Sequence, residues 1–97
     1  MNVNYSPDLI TVAERVVWFE NAEKSLRDPT RFLAYLMTYG TLDEIRTAKK
    51  YYSPEDFEAV LDNPPAGVFD PRSWKYWNLV YGRTPVPPLP KRKIPGL

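Results

Sequence analysis

Four places in the chain join a capping side chain directly to proline: Ser6-Pro7, Asp28-Pro29, Ser53-Pro54 and Asp70-Pro71. The side-chain oxygen can accept from an otherwise orphaned amide of a first helical turn, and proline at the first helical position lacks only an N–H that had no partner there. Each pair therefore marks a helix start. Thr41, with Glu44 three residues on, adds a fifth start through the reciprocal capping-box arrangement.

Apolar spacing extends each start into a helix. Leu9, Val12, Ala13, Val16 and Val17 recur at three and four residues, one face of a helix running to about Phe19. The polar stretch 20–27 holds at most a short helical turn. From Asp28, the residues Phe32, Leu33, Leu36, Met37 and Tyr39 leave little polar surface, which marks a helix buried on most sides and the centre of the fold. Gly40 stands where a left-handed residue would end that helix, and Thr41 opens the second arm of a tight hairpin carrying Leu42, Ile45, Ala48 and Tyr52. Phe57, Val60 and Leu61 come after Ser53 until Asn63-Pro64-Pro65 stops the helix, and Val68 and Phe69 anchor the next loop. Trp74, Trp77 and Tyr81 then lie at i, i+3 and i+7, an aromatic lid ended by Gly82.

The expected fold is all-α, a compact bundle of about five helices over residues 1–83, with a proline-rich, extended, basic tail over 84–97. Its core is Phe32, Leu36, Tyr39, Ile45, Phe57, Leu61, Trp74 and Trp77. A chain of 97 residues holds one core, and seven Tyr, four Phe and three Trp supply the bulk that so small an interior needs. No β-branched run alternates as a strand would.

Composition narrows the chemistry. The chain has no cysteine and no histidine, so Ser53 and Ser73 lack the usual proton acceptor, and thiolate or imidazole metal sites are excluded. Glu55, Asp56 and Glu58 fall in the first turns of a helix, where carboxylates complement its dipole. The reading is a non-enzyme with no catalytic residue, no metal and no cofactor. The absence of cysteine fits a cytoplasmic setting, and no apolar run approaches a membrane span or a signal core. Net charge is +1, yet Lys91, Arg92 and Lys93 exceed it, so residues 1–90 carry ten cations against twelve anions. A body at −2 does not attract nucleic acid broadly.

Local surfaces remain. Arg46, Lys49 and Lys50 lie at i, i+3 and i+4, either a recognition helix for DNA within the hairpin 29–52 or a solvated face with cations suited to a helix C-terminus. Arg72, Lys75 and Tyr76 point away from the Trp74–Trp77 stripe and are candidates for contact with a partner. In the tail, Pro87-Pro88-Leu89-Pro90 with Lys91, Arg92 and Lys93 after it matches the proline ligands that aromatic grooves recognise, or a basic segment touching an acidic partner, or a stretch that packs on its own domain.

The run Arg31-Phe32-Leu33-Ala34-Tyr35-Leu36-Met37-Thr38-Tyr39-Gly40-Thr41, with Phe69-Asp70-Pro71-Arg72-Ser73-Trp74 and Tyr76-Trp77-Asn78-Leu79 beyond it, resembles a family of small bacterial proteins of unknown biochemical activity. They are often encoded beside nucleotidyltransferase toxins of the abortive-infection type. The resemblance covers about residues 15–92. It implies an antitoxin-like or accessory protein whose partner is such a toxin, and it carries no catalytic residues over. The chain itself lacks the Gly-Ser and paired-aspartate motif of a nucleotidyltransferase. A small DNA-binding regulator is the alternative, and a scaffold held through the tail a third. Partner, oligomeric state and the order of the tail are open at this level.

Overall fold

A computed structural model of the chain describes residues 5–89. These form six helices and, among the described residues, no strand: α1 (Pro7–Val16), α2 (Ala22–Leu26), α3 (Pro29–Tyr39), α4 (Leu42–Ala48), α5 (Pro54–Asp62) and α6 (Pro71–Val80). All five expected starts are present.

The caps form as their chemistry requires at four of those five. Asp28 accepts from the Arg31 amide and Asp70 from the Ser73 amide, at 3.3 and 2.7 Å. Thr41 and Ser53 each build a full capping box, with Glu44 and Asp56 returning to the cap amide. Ser6 is the exception: its side chain makes no cap hydrogen bond, and Asp8 instead accepts from the neighbouring Leu9 amide. The additional helix α2 starts at Asn21, whose side chain accepts from the Glu23 amide at 2.8 Å. The first helix stops at Val16, three residues before the expected end, because Val17 leaves helical geometry.

Helix α3 packs against every other helix, so the expected centre of the fold is its hub. Phe32, Leu33, Ala34 and Leu36 are fully buried there, and Phe57, Val60, Leu61, Trp74 and Trp77 close over them from α5 and α6. Val68 and Phe69 are buried and anchor the loop between those two helices. Two expected core positions fall elsewhere. Tyr39 is 57% exposed, because it sits in the last turn of α3 and lies outward against Tyr35. Ile45 is half-buried and Leu42 is exposed, so Ala48 is the fully buried residue of the short helix α4.

The expected boundary at Arg83 does not end the packing. Residues 84–89 have no regular secondary structure, and they lie on the core through Val86 and Leu89, with Pro87 O accepting from the Trp74 indole at 2.7 Å. The Thr84–Pro85 bond is cis. The remainder of the proline-rich tail, including Pro90 and the cations Lys91, Arg92 and Lys93, lies outside the described residues.

Charge pairs that the sequence does not announce join distant segments, and three of them centre on Glu20, Glu44 and Asp62. Arg15 of α1 grips Glu44 of α4 with two nitrogens, Arg31 of α3 holds Glu20 at 2.7 Å, and Arg83 reaches Asp62 at 2.6 Å. The fully buried Ser25 hydroxyl also donates to Glu20, at 2.6 Å. Hydrogen bonds from Arg31 and then Ser25 hold the Glu20 carboxyl below its ordinary range. The Arg15 fork does the same for Glu44, and Arg83 for Asp62. Such groups bind protons less readily folded than unfolded, so their contribution is complete above the unfolded pKa of about 4.3 for Glu and is lost as pH falls through the folded value. Thermal melts from pH 7 down to pH 2.5 should therefore show a falling midpoint below about pH 4.5. In Glu20→Gln and Glu44→Gln together, that acid dependence should flatten.

Candidate functional site

The last four carbonyls of α3 would be left without intrahelical donors. Two other helices and Gly40 answer three of them. The Gly40 amide donates to Leu36 O at 2.7 Å, the Trp77 indole to Met37 O at 2.7 Å, and Arg15 Nη2 to Tyr39 O at 3.0 Å. This ties α1 and α6 to one end of the hub helix. An open groove of about 270 Å³ forms beside that end, lined by Met37, Gly40, Ile45, Arg72, Ser73, Tyr76 and Trp77.

Two of the surface candidates from the sequence, Arg72 and Tyr76, line this groove, and Lys75 stands between them on α6. Proline at the first position and the Asp70 cap fix the start of α6. Its 3.6-residue period then buries Trp74, Trp77 and Asn78 while Arg72, Lys75 and Tyr76 face outward. Tyr76 is 58% exposed and meets the buried Trp77 ring edge-on at 5.3 Å. Leu79 and Leu42, on α6 and α4, are also exposed, at 47% and 64%.

Six of the ten described cations sit in ion pairs. Lys24, Lys49, Arg72 and Lys75 are the described cations without an ion pair among the described residues, and two of these four lie together on α6. The groove therefore offers an apolar floor of Met37, Ile45 and Trp77 beneath uncompensated positive charge. A partner segment with an apolar anchor and carboxylates beside it fits such a surface.

The hairpin cations are arranged differently. Helix α4 ends at Ala48, so Lys49 is its C-cap and Lys50 lies in the turn beyond. Arg46 pairs loosely with Asp43 at 3.6 Å, and Lys50 reaches back to Asp8 on α1 at 2.5 Å. Asp8, which accepts from Lys50 and from the Tyr51 hydroxyl, is held below the ordinary carboxylate range. Lys49 stands apart, over a groove of about 330 Å³ lined by Tyr52, Pro54, Phe57, Val80 and Tyr81. The three residues do not form one turn of helix. Of the acidic cluster, Asp56 belongs to the Ser53 cap, Glu58 lies near Arg83 at 3.5 Å and Glu55 is exposed. Among the described residues no three His, Cys, Asp or Glu side chains converge as a metal set.

A second surface is absent from the sequence expectations: Trp18, Phe19, Tyr35 and Tyr39 form a continuous aromatic face beside Arg15. The sequence carries its signal only in outline, because Trp18 and Phe19 fall off the stripe that ends at Val16 and Val17. None of the described helices is long and apolar enough to cross a membrane. No family model matches the chain, and neither the curated proteins nor the solved structures include a significant match to it.

Proposed function

We propose that this chain is a non-catalytic interaction protein, an antitoxin-like or accessory partner that docks a nucleotidyltransferase-type toxin through the groove between α3, α4 and α6. The observation that carries the docking surface is the pairing of an apolar groove with Arg72 and Lys75, which have no ion-pair partner among the described residues while most other described cations do. Tyr76 supplies the exposed aromatic contact that interface centres favour. The toxin as partner rests on the sequence resemblance over residues 15–92.

Co-expression tests the reading. The chain should restore growth to cells expressing a nucleotidyltransferase toxin encoded beside it, and should co-purify with that toxin. Arg72→Glu with Lys75→Glu should abolish rescue while leaving the melting temperature within a few degrees, since exposed substitutions cost about 0.5 kcal/mol or less. A toxin that neither binds the chain nor loses toxicity beside it would overturn the proposal.

A further inference from the structure

The groove beneath Lys49 has no part in the docking surface above. It opens between the start of α5 and the end of α6, which each pack on α3, and Lys49 and Tyr52 close it from the turn after α4. Pro54, Phe57 and Val80 give it an apolar lining, and Tyr52 and Tyr81 add two phenols. Its volume is about 330 Å³. Small-molecule sites have this build: about 300–1,000 Å³, mostly apolar, with a few polar groups that fix orientation.

The core holds the walls in place. Phe57 is fully buried and stacks on Trp77 at 6.0 Å, and Tyr81 stacks on the same indole at 6.2 Å. Tyr52 rests on Phe32 of the hub helix at 6.1 Å. Buried aromatics therefore set the positions of these rings before any ligand arrives, which removes much of the ordering cost of binding.

Charge gives the ligand its sign. Lys49 is exposed and in no ion pair among the described residues, and no acidic residue lines the groove. The two carboxylates whose fields reach the tyrosines are already engaged. Asp56, near Tyr52, accepts from the Ser53 amide and hydroxyl, and Glu58, near Tyr81, lies 3.5 Å from Arg83. Burial pushes both phenols above their ordinary range, so at neutral pH each keeps its proton and can donate it in a hydrogen bond. Neither hydroxyl has a hydrogen-bond partner among the described residues, whereas that of Tyr51 donates to Asp8. An ammonium and two neutral donors with no acceptor between them suit a carboxylate.

Size sets the rest. An apolar cavity of about 150 Å³ takes one benzene, and this groove has roughly twice that volume, room for one ring and a short arm. Of its large apolar side chains only Val80 is exposed, so it offers a protein partner little of the ~800 Å² that each side of a stable interface buries. We propose that this groove binds a small free carboxylate with an aromatic body, its ring against Tyr52, Phe57 and Tyr81 and its carboxylate accepting from Lys49 Nζ and the tyrosine hydroxyls.

An NMR titration of the full, isotope-labelled chain with hydrocinnamate at neutral pH tests this, independently of any toxin. Amide shifts at Tyr52, Phe57, Val80 and Tyr81 should move and saturate with a Kd on the order of 0.1–1 mM, as a ligand of about eleven heavy atoms allows. Lys49→Gln should weaken binding at least about fivefold, and so should hydrocinnamamide, the neutral amide, in place of the acid. Val80→Glu, which sets a carboxylate at the groove, should weaken it at least about tenfold. Both variants replace exposed side chains and should melt within a few degrees of the wild type. Acetate, with the charge and no ring, should leave the shifts unchanged at the same concentrations. Absence of saturable shifts, saturable shifts centred on another groove, equal affinity for acid and amide, or undiminished affinity in either variant would each overturn the proposal.

Discussion

Replacing Trp77 by Ala should destabilise the domain by about 3–5 kcal/mol, a large share of the roughly 5–15 kcal/mol that holds a typical domain folded. Two independent losses combine there. Trp77 is 4% exposed and lies between Phe57 and Tyr81, with stacked centroids 6.0 and 6.2 Å away, so truncation opens a cavity in the layer where α6 covers α5. Its indole N–H is also the donor to Met37 O, one of the unpaired carbonyls at the end of α3. Trp77→Phe separates the two effects. It keeps the six-membered ring and removes the donor, and should cost less, about 1–3 kcal/mol. In thermal denaturation the Ala variant should melt more than about 10 °C below the wild type, at roughly 4–8 °C per kcal/mol for a domain of this size. Trp18→Ser, by contrast, should melt within a few degrees of wild type, since Trp18 is mostly exposed.

The second large effect is expected at Gly40, where Ala should destabilise by about 1–3 kcal/mol, the range for overpacking. The reason is not backbone conformation: Gly40 has φ −74° and ψ 149°, an ordinary extended geometry that alanine adopts freely. A Cβ there would stand 2.5 Å from Leu36 O and 2.6 Å from its Cδ1. Leu36 is fully buried and its carbonyl already accepts from the Gly40 amide, so neither atom can retreat cheaply. Gly82 makes the comparison informative. Its φ is +70°, yet a Cβ there meets nothing within 4 Å, so Gly82→Ala should cost only the left-handed penalty of about 1 kcal/mol. Chemical denaturation of both variants ranks them, and a Gly40→Ala domain as stable as the wild type would mean that the end of α3 is more yielding than its contacts imply.

Gly40 also illustrates what sequence can and cannot reveal. Its place at the end of α3 is legible, but the left-handed geometry expected of it is not found: that conformation is adopted by Gly67 and Gly82, while Gly40 is needed for close approach. The helix starts are legible because a cap and a proline act on the next few residues alone, and that local chemistry survives whatever the tertiary context. Helix ends are less so. The first helix is expected to run to about Phe19, but the chain leaves helical geometry at Val17, and Glu20 beyond it meets Arg31 and Ser25, partners set by tertiary packing. The short helical turn expected in 20–27 is α2, but its buried serine is legible only in the fold, where the hydroxyl donates to that carboxylate at 2.6 Å and lies 3.4 Å from Asn21 O. Tyr39 reads as core from its spacing, yet it is exposed, because a helix end has neighbours on fewer sides than its middle.

For the candidate surface, periodicity correctly separates Arg72, Lys75 and Tyr76 from the buried Trp74 and Trp77 on the same helix. It cannot report that Met37 and Ile45 from two other helices complete a groove beneath them. Nor can it report which cations are neutralised. Arg46 and Lys50 lose their apparent prominence because Asp43 and Asp8 fold against them, and Asp8 lies more than forty residues away in sequence from Lys50. Which cations are left without a partner, Arg72 and Lys75 with Lys24 and Lys49, is decided only by folding.

The most direct test of the docking surface is the affinity of the purified nucleotidyltransferase-type toxin for three forms of the chain: wild type, Arg72→Glu with Lys75→Glu, and Trp18→Ser. Titration calorimetry should show the double variant binding at least ~100-fold more weakly, the scale of removing interface anchors and reversing their charge. Trp18→Ser, outside the groove between α3, α4 and α6, should bind the toxin as the wild type does. Equal affinity of the double variant and the wild type would contradict the assignment of that groove as the partner-binding surface.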